Sequence, residues 1–329
     1  MTKELTVDPV EALTAEVFEE ARHRVAPVVH RTPVLSSASL SRETGYRVLL
    51  KAECLQRTGS YKIRGPSNKL PQLSPAQQRA GVITSSAGNH AQGVALAAAE
   101  LGIPAVVVMA SGATPAKVAA TRAYGAEVVL HGRIWDEANL EAQRLAAERG
   151  LTFVHPFDDV ELIAGQGTVG LEILDDVPDV DVVVVPIGGG GLISGISAAV
   201  RTRKPSVRVI GVESSGAPAM QRSLERGERV TLEEMHCSID GLKVQRVGEN
   251  TFAVVRRYVE QVVTIDDARI FDAVLWTMAR CKLVVEGAAA APVAALLNGL
   301  VEAEPGATVV CVISGGNLDV ERLRGQVLN

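Results

Sequence analysis

The chain has 329 residues, 47% of them hydrophobic and 22% charged, which gives room for two substantial cores and matches an ordinary globular protein. A formal net charge of -5 with scattered Lys and Arg forms no basic stripe, so nucleic acid and anionic lipid are not expected as partners and small molecules are. Cys54, Cys237, Cys281 and Cys311 fall in no zinc spacing, and no apolar run reaches the ~18 residues of a membrane span; a reduced, cytoplasmic setting is expected.

Asp8 and Pro9 read as the cap and first-turn residue of an amphipathic helix running to about Arg24, and Val48-Leu49-Leu50 reads as an apolar strand. After Gly81 the rhythm becomes regular. Val82-Ile83-Thr84, Ala105 to Val108, Glu127 to Leu130 and Thr152 to Val154 read as short buried strands, separated by helical stretches with Ala and Leu at three- and four-residue spacing. A second series has strands at Asp181 to Ile187, Val207 to Val212, Val262 to Ile265 and Thr308 to Ile313. The pattern predicts an α/β protein of two doubly wound parallel-sheet lobes. The smaller, at 75–159, is inserted in a larger one formed by 1–74 and 160–329, whose sheet the Val48 strand joins.

Four polar or glycine turns lie at strand ends. Thr58-Gly59-Ser60-Tyr61-Lys62 follows the Val48 strand, Ser85-Ser86-Ala87-Gly88-Asn89-His90 and Gly188-Gly189-Gly190-Gly191 each open a helix, and Ser314-Gly315-Gly316-Asn317 ends the last strand. Their common position points to one shared crevice. A lysine there is either a Schiff-base nucleophile or a solvated charge. The glycine run suits a phosphate, because glycines let backbone N–H groups approach an anion at a helix N-terminus. Glu213 ends the next strand where a Rossmann site keeps its ribose-binding acid, so NAD stays open on this unit alone. Contiguous glycines in place of G-x-G-x-x-G count against it, as does a lysine that hydride transfer would not need.

Together these segments resemble the fold-type II pyridoxal-phosphate enzymes, which have a tryptophan synthase β-like fold. Within them the chain resembles the serine/threonine dehydratase (threonine ammonia-lyase) group, to which serine racemase is related. The match runs from Arg31-Thr32-Pro33 through Leu55 to Lys62, Ala164-Gly165-Gln166-Gly167-Thr168 and Glu286-Gly287-Ala288 to Ser314-Gly315-Gly316-Asn317. The resemblance implies that Lys62 carries pyridoxal 5'-phosphate as a Schiff base and that Gly188, Gly189, Gly190, Gly191 and the Leu192 amide bind its phosphate. It further implies that Asn89 contacts the ring hydroxyl, Tyr61 packs near the ring, Ser314 bonds the pyridine nitrogen, and Ser86, Ala87, Gly88, Asn89 and His90 receive the substrate carboxylate. A neutral hydroxyl at the ring nitrogen makes a weaker electron sink than a carboxylate partner would, a tendency toward prompt loss of a β-substituent.

Several positions depart from the family pattern. Serine racemases of the human type carry a serine where Ala87 stands; without that acid/base group, one-base elimination from Lys62 is favoured over racemisation. Tyr61 replaces the usual phenylalanine, which adds a hydroxyl that needs a partner if buried. Met109-Ala110-Ser111-Gly112-Ala113 replaces Met-Pro-Lys-Gly-Ala in a neighbouring loop, so substrate preference can differ from threonine. Glu213 and the Ala217 backbone match a cation site of relatives, with Ala219 in place of an aspartate, which leaves room for at most a monovalent ion. The sequence stops shortly after Asn317, so a C-terminal regulatory domain is not expected. His23, His30, His131, His155 and His236 are expected to be surface or structural residues, Lys51 and Lys117 solvated or structural, and Glu286 either to orient the cofactor region or to cap its helix. The expected activity is dehydration of L-threonine or L-serine to a 2-oxo acid and ammonia by a homodimer or homotetramer.

Overall fold

A computed structural model of the chain describes residues 8–318, so the outermost residues assigned to the large lobe, 1–7 and 319–329, lie outside the described residues. Among the described residues ten strands form: β1 Val34–Ser36, β2 Arg47–Lys51, β3 Val82–Ser85, β4 Ala105–Met109, β5 Glu127–Leu130, β6 Thr152–Phe153, β7 Val182–Pro186, β8 Arg208–Ser214, β9 Gln261–Ile265 and β10 Thr308–Val312. They make two sheets, one of six strands in the order β1-β2-β10-β7-β8-β9 and one of four in the order β5-β4-β3-β6.

Every pairing is parallel except β1 with β2. The β2 strand joins the larger sheet as expected, in register with the far end of the chain: Val48 pairs with Val309 and Leu50 with Cys311. The interior strands are unbroken apolar runs, such as Val182 to Val185 in β7, because helices cover both faces of a parallel sheet. The antiparallel β1 was not foreseen; three residues carry no alternation to detect. The expected single helix from Pro9 is two helices, Pro9–Ala12 and Ala15–Val25, because Thr14 takes an extended backbone and its Oγ1 accepts from the Val17 N–H, starting a new helix.

Loops at the carboxyl ends of β2, β7 and β10 are neighbours because those strands run β2-β10-β7 across the sheet. This adjacency places the Lys62 turn beside Ser314 and Ser314 beside the glycine loop. Among the described residues no helix is long and apolar enough to cross a membrane, and all four cysteines are free.

Candidate active site

Lys62 sits in a short 3-10 turn, Tyr61–Ile63. Its backbone is held from two sides. The Tyr61 N–H donates to the Ser314 carbonyl at 3.1 Å and Gly316 N–H to the Gly59 carbonyl at 2.8 Å, while helix Asn89–Glu100 comes so close that a Cβ at Gly93 would lie 2.7 Å from the Lys62 carbonyl oxygen. The Lys62 Nζ donates to the Pro156 carbonyl at 2.9 Å and lies 5.4 Å from the Tyr61 ring centroid. Burial disfavours the ammonium and pulls its pKa down to about 8, against the opposing pull of Glu286. An amine so placed is partly unprotonated near neutrality, as a nucleophile and base must be.

Behind this turn lies a buried ionic cluster that keeps it rigid. Arg64, two residues on, donates to Glu53 at 2.8 Å, to Glu172 at 2.7 and 2.9 Å and to Thr168 at 3.0 Å. Lys51 donates to Glu172 at 2.6 Å and to the Thr32 carbonyl at 2.7 Å, and Thr32 bonds Glu53. Lys51 is therefore structural, fully buried where a solvated charge was the alternative.

The glycine loop is a cradle. Among the described residues no acceptor engages the N–H groups of Gly188, Gly189, Gly190, Gly191 or Leu192, which lie at the start of helix Gly191–Arg203. The backbone turns through Gly190 at φ 92°, and a Cβ at Gly189 would land on the Phe157 ring. Side chains there would fill the space and strain the turn. Free N–H groups at the positive end of a helix dipole fit a phosphate.

The third loop, between β3 and helix Asn89–Glu100, likewise leaves the N–H groups of Ala87, Asn89 and His90 without a partner among the described residues. The Ser86 Oγ accepts from Gly88 N–H at 3.2 Å. Asn89 donates to Glu286 at 2.7 Å and accepts from Asn317 at 2.8 Å. His90 adds only its backbone to the loop: its ring is buried, bonds the Val154 carbonyl through Nε2 at 3.3 Å, and is kept neutral by burial, with a pKa lowered to about 3. The Ser314 side chain is almost fully buried, and its hydroxyl makes no hydrogen bond among the described residues.

Glu286 is the N-cap residue of helix Gly287–Leu297, yet its side chain makes no capping bond. Its carboxylate serves Asn89, and burial raises its pKa to about 7. Of the two roles open for it, the geometry selects orientation of the site.

Glu213 is tied into the backbone of the next helix. Its carboxylate accepts from the Met220 and Gln221 N–H groups, both at 2.8 Å, capping helix Ala219–Arg226, and the Ala217 carbonyl accepts from Ala219 N–H at 2.9 Å. Burial raises the Glu213 pKa to about 8, opposed by those two bonds. A carboxyl so engaged is not presented to a ribose, and the NAD alternative falls with it. Among the described residues no group of three or more His, Cys, Asp or Glu that could hold a metal ion occurs.

Four residues that the sequence did not single out join these loops. Pro156 accepts from Lys62, Phe157 packs on the glycine loop, Asp158 accepts from the Glu249 and Thr251 N–H groups at 2.8 and 3.1 Å, and the Thr251 hydroxyl donates to the Gly189 carbonyl at 2.9 Å. Pro156, Phe157 and Asp158 come from a loop without periodicity, where only the Pro-Phe-Asp-Asp composition after β6 marks a turn, and Thr251 lies in the first turn of helix Glu249–Tyr258 with nothing in its spacing to mark it.

A perturbed lysine beside an empty-handed phosphate cradle, at the switch point of a parallel sheet, defines an enzyme class that holds a phosphorylated aldehyde cofactor on a Schiff base. The family model "Pyridoxal-phosphate dependent enzyme" matches residues 25–315, and the chain belongs to that family. An L-threonine ammonia-lyase of Thermotoga maritima is 49% identical over 94% of this chain and 77% of its own length. A catabolic L-threonine dehydratase of Staphylococcus aureus is 42% identical over 99% of this chain and 95% of its own. The structure of maize serine racemase superimposes with a TM-score of 0.92 at 37% identity, covering 96% of this chain and 97% of that one.

Proposed function

We propose that this protein is a threonine/serine ammonia-lyase, converting L-threonine to 2-oxobutanoate or L-serine to pyruvate with release of ammonia. The observation that carries this reading is that Lys62 is a buried, partly unprotonated amine, whereas the Ser86 to His90 loop supplies no second acid or base among the described residues. Next to it the loop offers a methyl at Ala87, a Ser86 hydroxyl occupied with Gly88, and a neutral His90 turned to Val154. Racemisation needs a proton donor on the second face; elimination does not. The relatives named threonine ammonia-lyase and threonine dehydratase support the same substrate.

The Gly188 to Leu192 amides would hold the cofactor phosphate, Lys62 its aldehyde carbon, Ser314 its ring nitrogen and Asn89 its ring hydroxyl, with Tyr61 packed near the ring. When bound, pyridoxal phosphate supplies an electron sink that acidifies the substrate Cα–H. The Ser86 to His90 loop would fix the substrate carboxylate on backbone N–H groups, and the freed Lys62 amine takes the Cα proton, after which the β-hydroxyl departs. We also propose the lobe division at 75–159 with closure over the substrate, supported by the Lys117 bond to Asp240 at 2.9 Å, which links helix Pro115–Ala123 to the large sheet's loops. A cytoplasmic homodimer or homotetramer belongs to the same proposal; the exposed Leu55, Leu275 and Val284 are apolar surface that assembly would cover. The test is a panel of L-threonine, L-serine and bulkier β-hydroxy amino acids with detection of 2-oxo acid. D-serine formation without oxo acid would favour the racemase reading instead.

A further inference from the structure

The turn that follows β6 touches both the lysine and the glycine loop, and a histidine holds it together. His155 Nδ1 accepts from two backbone N–H groups, Phe157 at 3.2 Å and Asp158 at 2.8 Å. An imidazole nitrogen that accepts twice carries no proton, so the hydrogen of the neutral ring is on Nε2. The ring also stands edge-on to Phe157, with centroids 4.7 Å apart at 88°. Each residue it fixes has a further contact. Pro156, between the ring and its two donors, presents its carbonyl to Lys62 Nζ at 2.9 Å. Phe157 lies against Gly189 and Gly191. Asp158 caps helix Glu249–Tyr258, whose Thr251 hydroxyl holds the Gly189 carbonyl.

We propose that His155 is a positioning residue: by closing the 155–158 turn it fixes the Pro156 carbonyl as the acceptor that orients the freed Lys62 amine for proton transfer. This rests on Lys62 being the base of the proposed reaction. A neutral amine that donates one N–H to a fixed carbonyl keeps its lone pair available in a defined direction. In the step, the Cα–H bond breaks and an N–H bond forms on Lys62; pyridoxal phosphate, when bound, would supply the sink for the electron pair left at Cα. In D2O the lysine hydrogens exchange with solvent, and a deuteron returns to Cα.

The experiment uses holoenzyme and L-alanine, which has no β-substituent to lose, and follows Cα hydrogen exchange in D2O by NMR. Backbone amide exchange at Phe157 and Asp158 is read on the same proteins by mass spectrometry. In His155→Leu the two amides should exchange about tenfold faster, as for a lost hydrogen bond. Its Cα exchange should fall about 10²-fold, the scale of a misplaced catalytic group, with the cofactor's visible absorbance retained. His155→Asn, whose Oδ1 can take the place of Nδ1, should recover both to within about threefold, since it restores the acceptor. Unchanged Cα exchange in His155→Leu despite open amides would overturn the proposal. So would slowed exchange with the amides still protected, or equal loss in a His155→Asn whose turn is intact. If the wild type exchanges the alanine proton but releases no oxo acid from threonine or serine, the lyase reading fails while the positioning role is still decided by the two variants.

Discussion

Asn89 donates to the Glu286 carboxylate at 2.7 Å across 197 positions of sequence, joining the loop at the head of helix Asn89–Glu100 to the start of helix Gly287–Leu297. The bond fixes the amide expected at the ring hydroxyl and places a carboxyl of raised pKa within electrostatic reach of Lys62.

That pairing has a pH signature. Glu286 moves from the usual 4.5 to about 7 on folding, mainly by burial. Its folded-state value is raised, so the unfolded chain releases the proton first, and the folded protein loses stability as pH rises from 4.5 toward 7. The loss is on the order of 3 kcal/mol at most. Glu286→Gln should remove this decline. Urea melts at about pH 5 and about pH 8 should show the variant gaining on the wild type only at the higher pH.

Lys62→Ala should lower turnover by at least about 10²-fold, since proton transfer by a placed base is worth that much, and should abolish the cofactor's visible absorbance. A coloured, fully active variant would remove the basis of the proposed chemistry.

Ala87→Ser places a hydroxyl at position 87, where a methyl now stands. Chiral chromatography should then detect D-serine from L-serine; a stable variant that forms none would show that a second-face donor is not what separates elimination from racemisation here.

Gly189→Ala drives a methyl into the Phe157 ring. Overpacking of this kind costs about 1–3 kcal/mol. Because the ring cannot retreat without disturbing the Pro156 carbonyl, both cofactor affinity and turnover should fall. Titration with pyridoxal phosphate and oxo-acid assays measure the two effects separately.

Arg64→Leu leaves Glu53 and part of Glu172 buried without their cation. Removing one partner from such a cluster costs about 3–5 kcal/mol, and the melting temperature should drop accordingly.

The sequence showed the strands clearly where they are buried on both faces, because runs such as Val182 to Val185 have few other uses. The three-residue β1 and the break at Thr14 escaped, since one is an edge pairing and the other a local contest between hydroxyl and helix. In the site, the lysine and glycine turns were legible because their chemistry restricts residue type. Pro156 was not: its contribution is a carbonyl, which every residue has, so only the path of the chain reveals it. His155 was assigned no role, as a surface or structural residue, yet the turn it organises touches Lys62. For Lys51 burial itself decides, and burial depends on residues more than a hundred positions away, such as Glu172.

The pairing of β2 with β10 also governs when the site can exist. A ribosome has finished Lys62, the glycine loop and the Ser86 to His90 loop long before it releases β10, which lies between β2 and β7 and leads into Ser314. Until then β2 has no parallel partner, and its apolar face must wait, exposed to chaperones or to wrong neighbours. Contacts of such long sequence separation form slowly. Lys62 is thus among the first of these groups to be made and the last to be put in place.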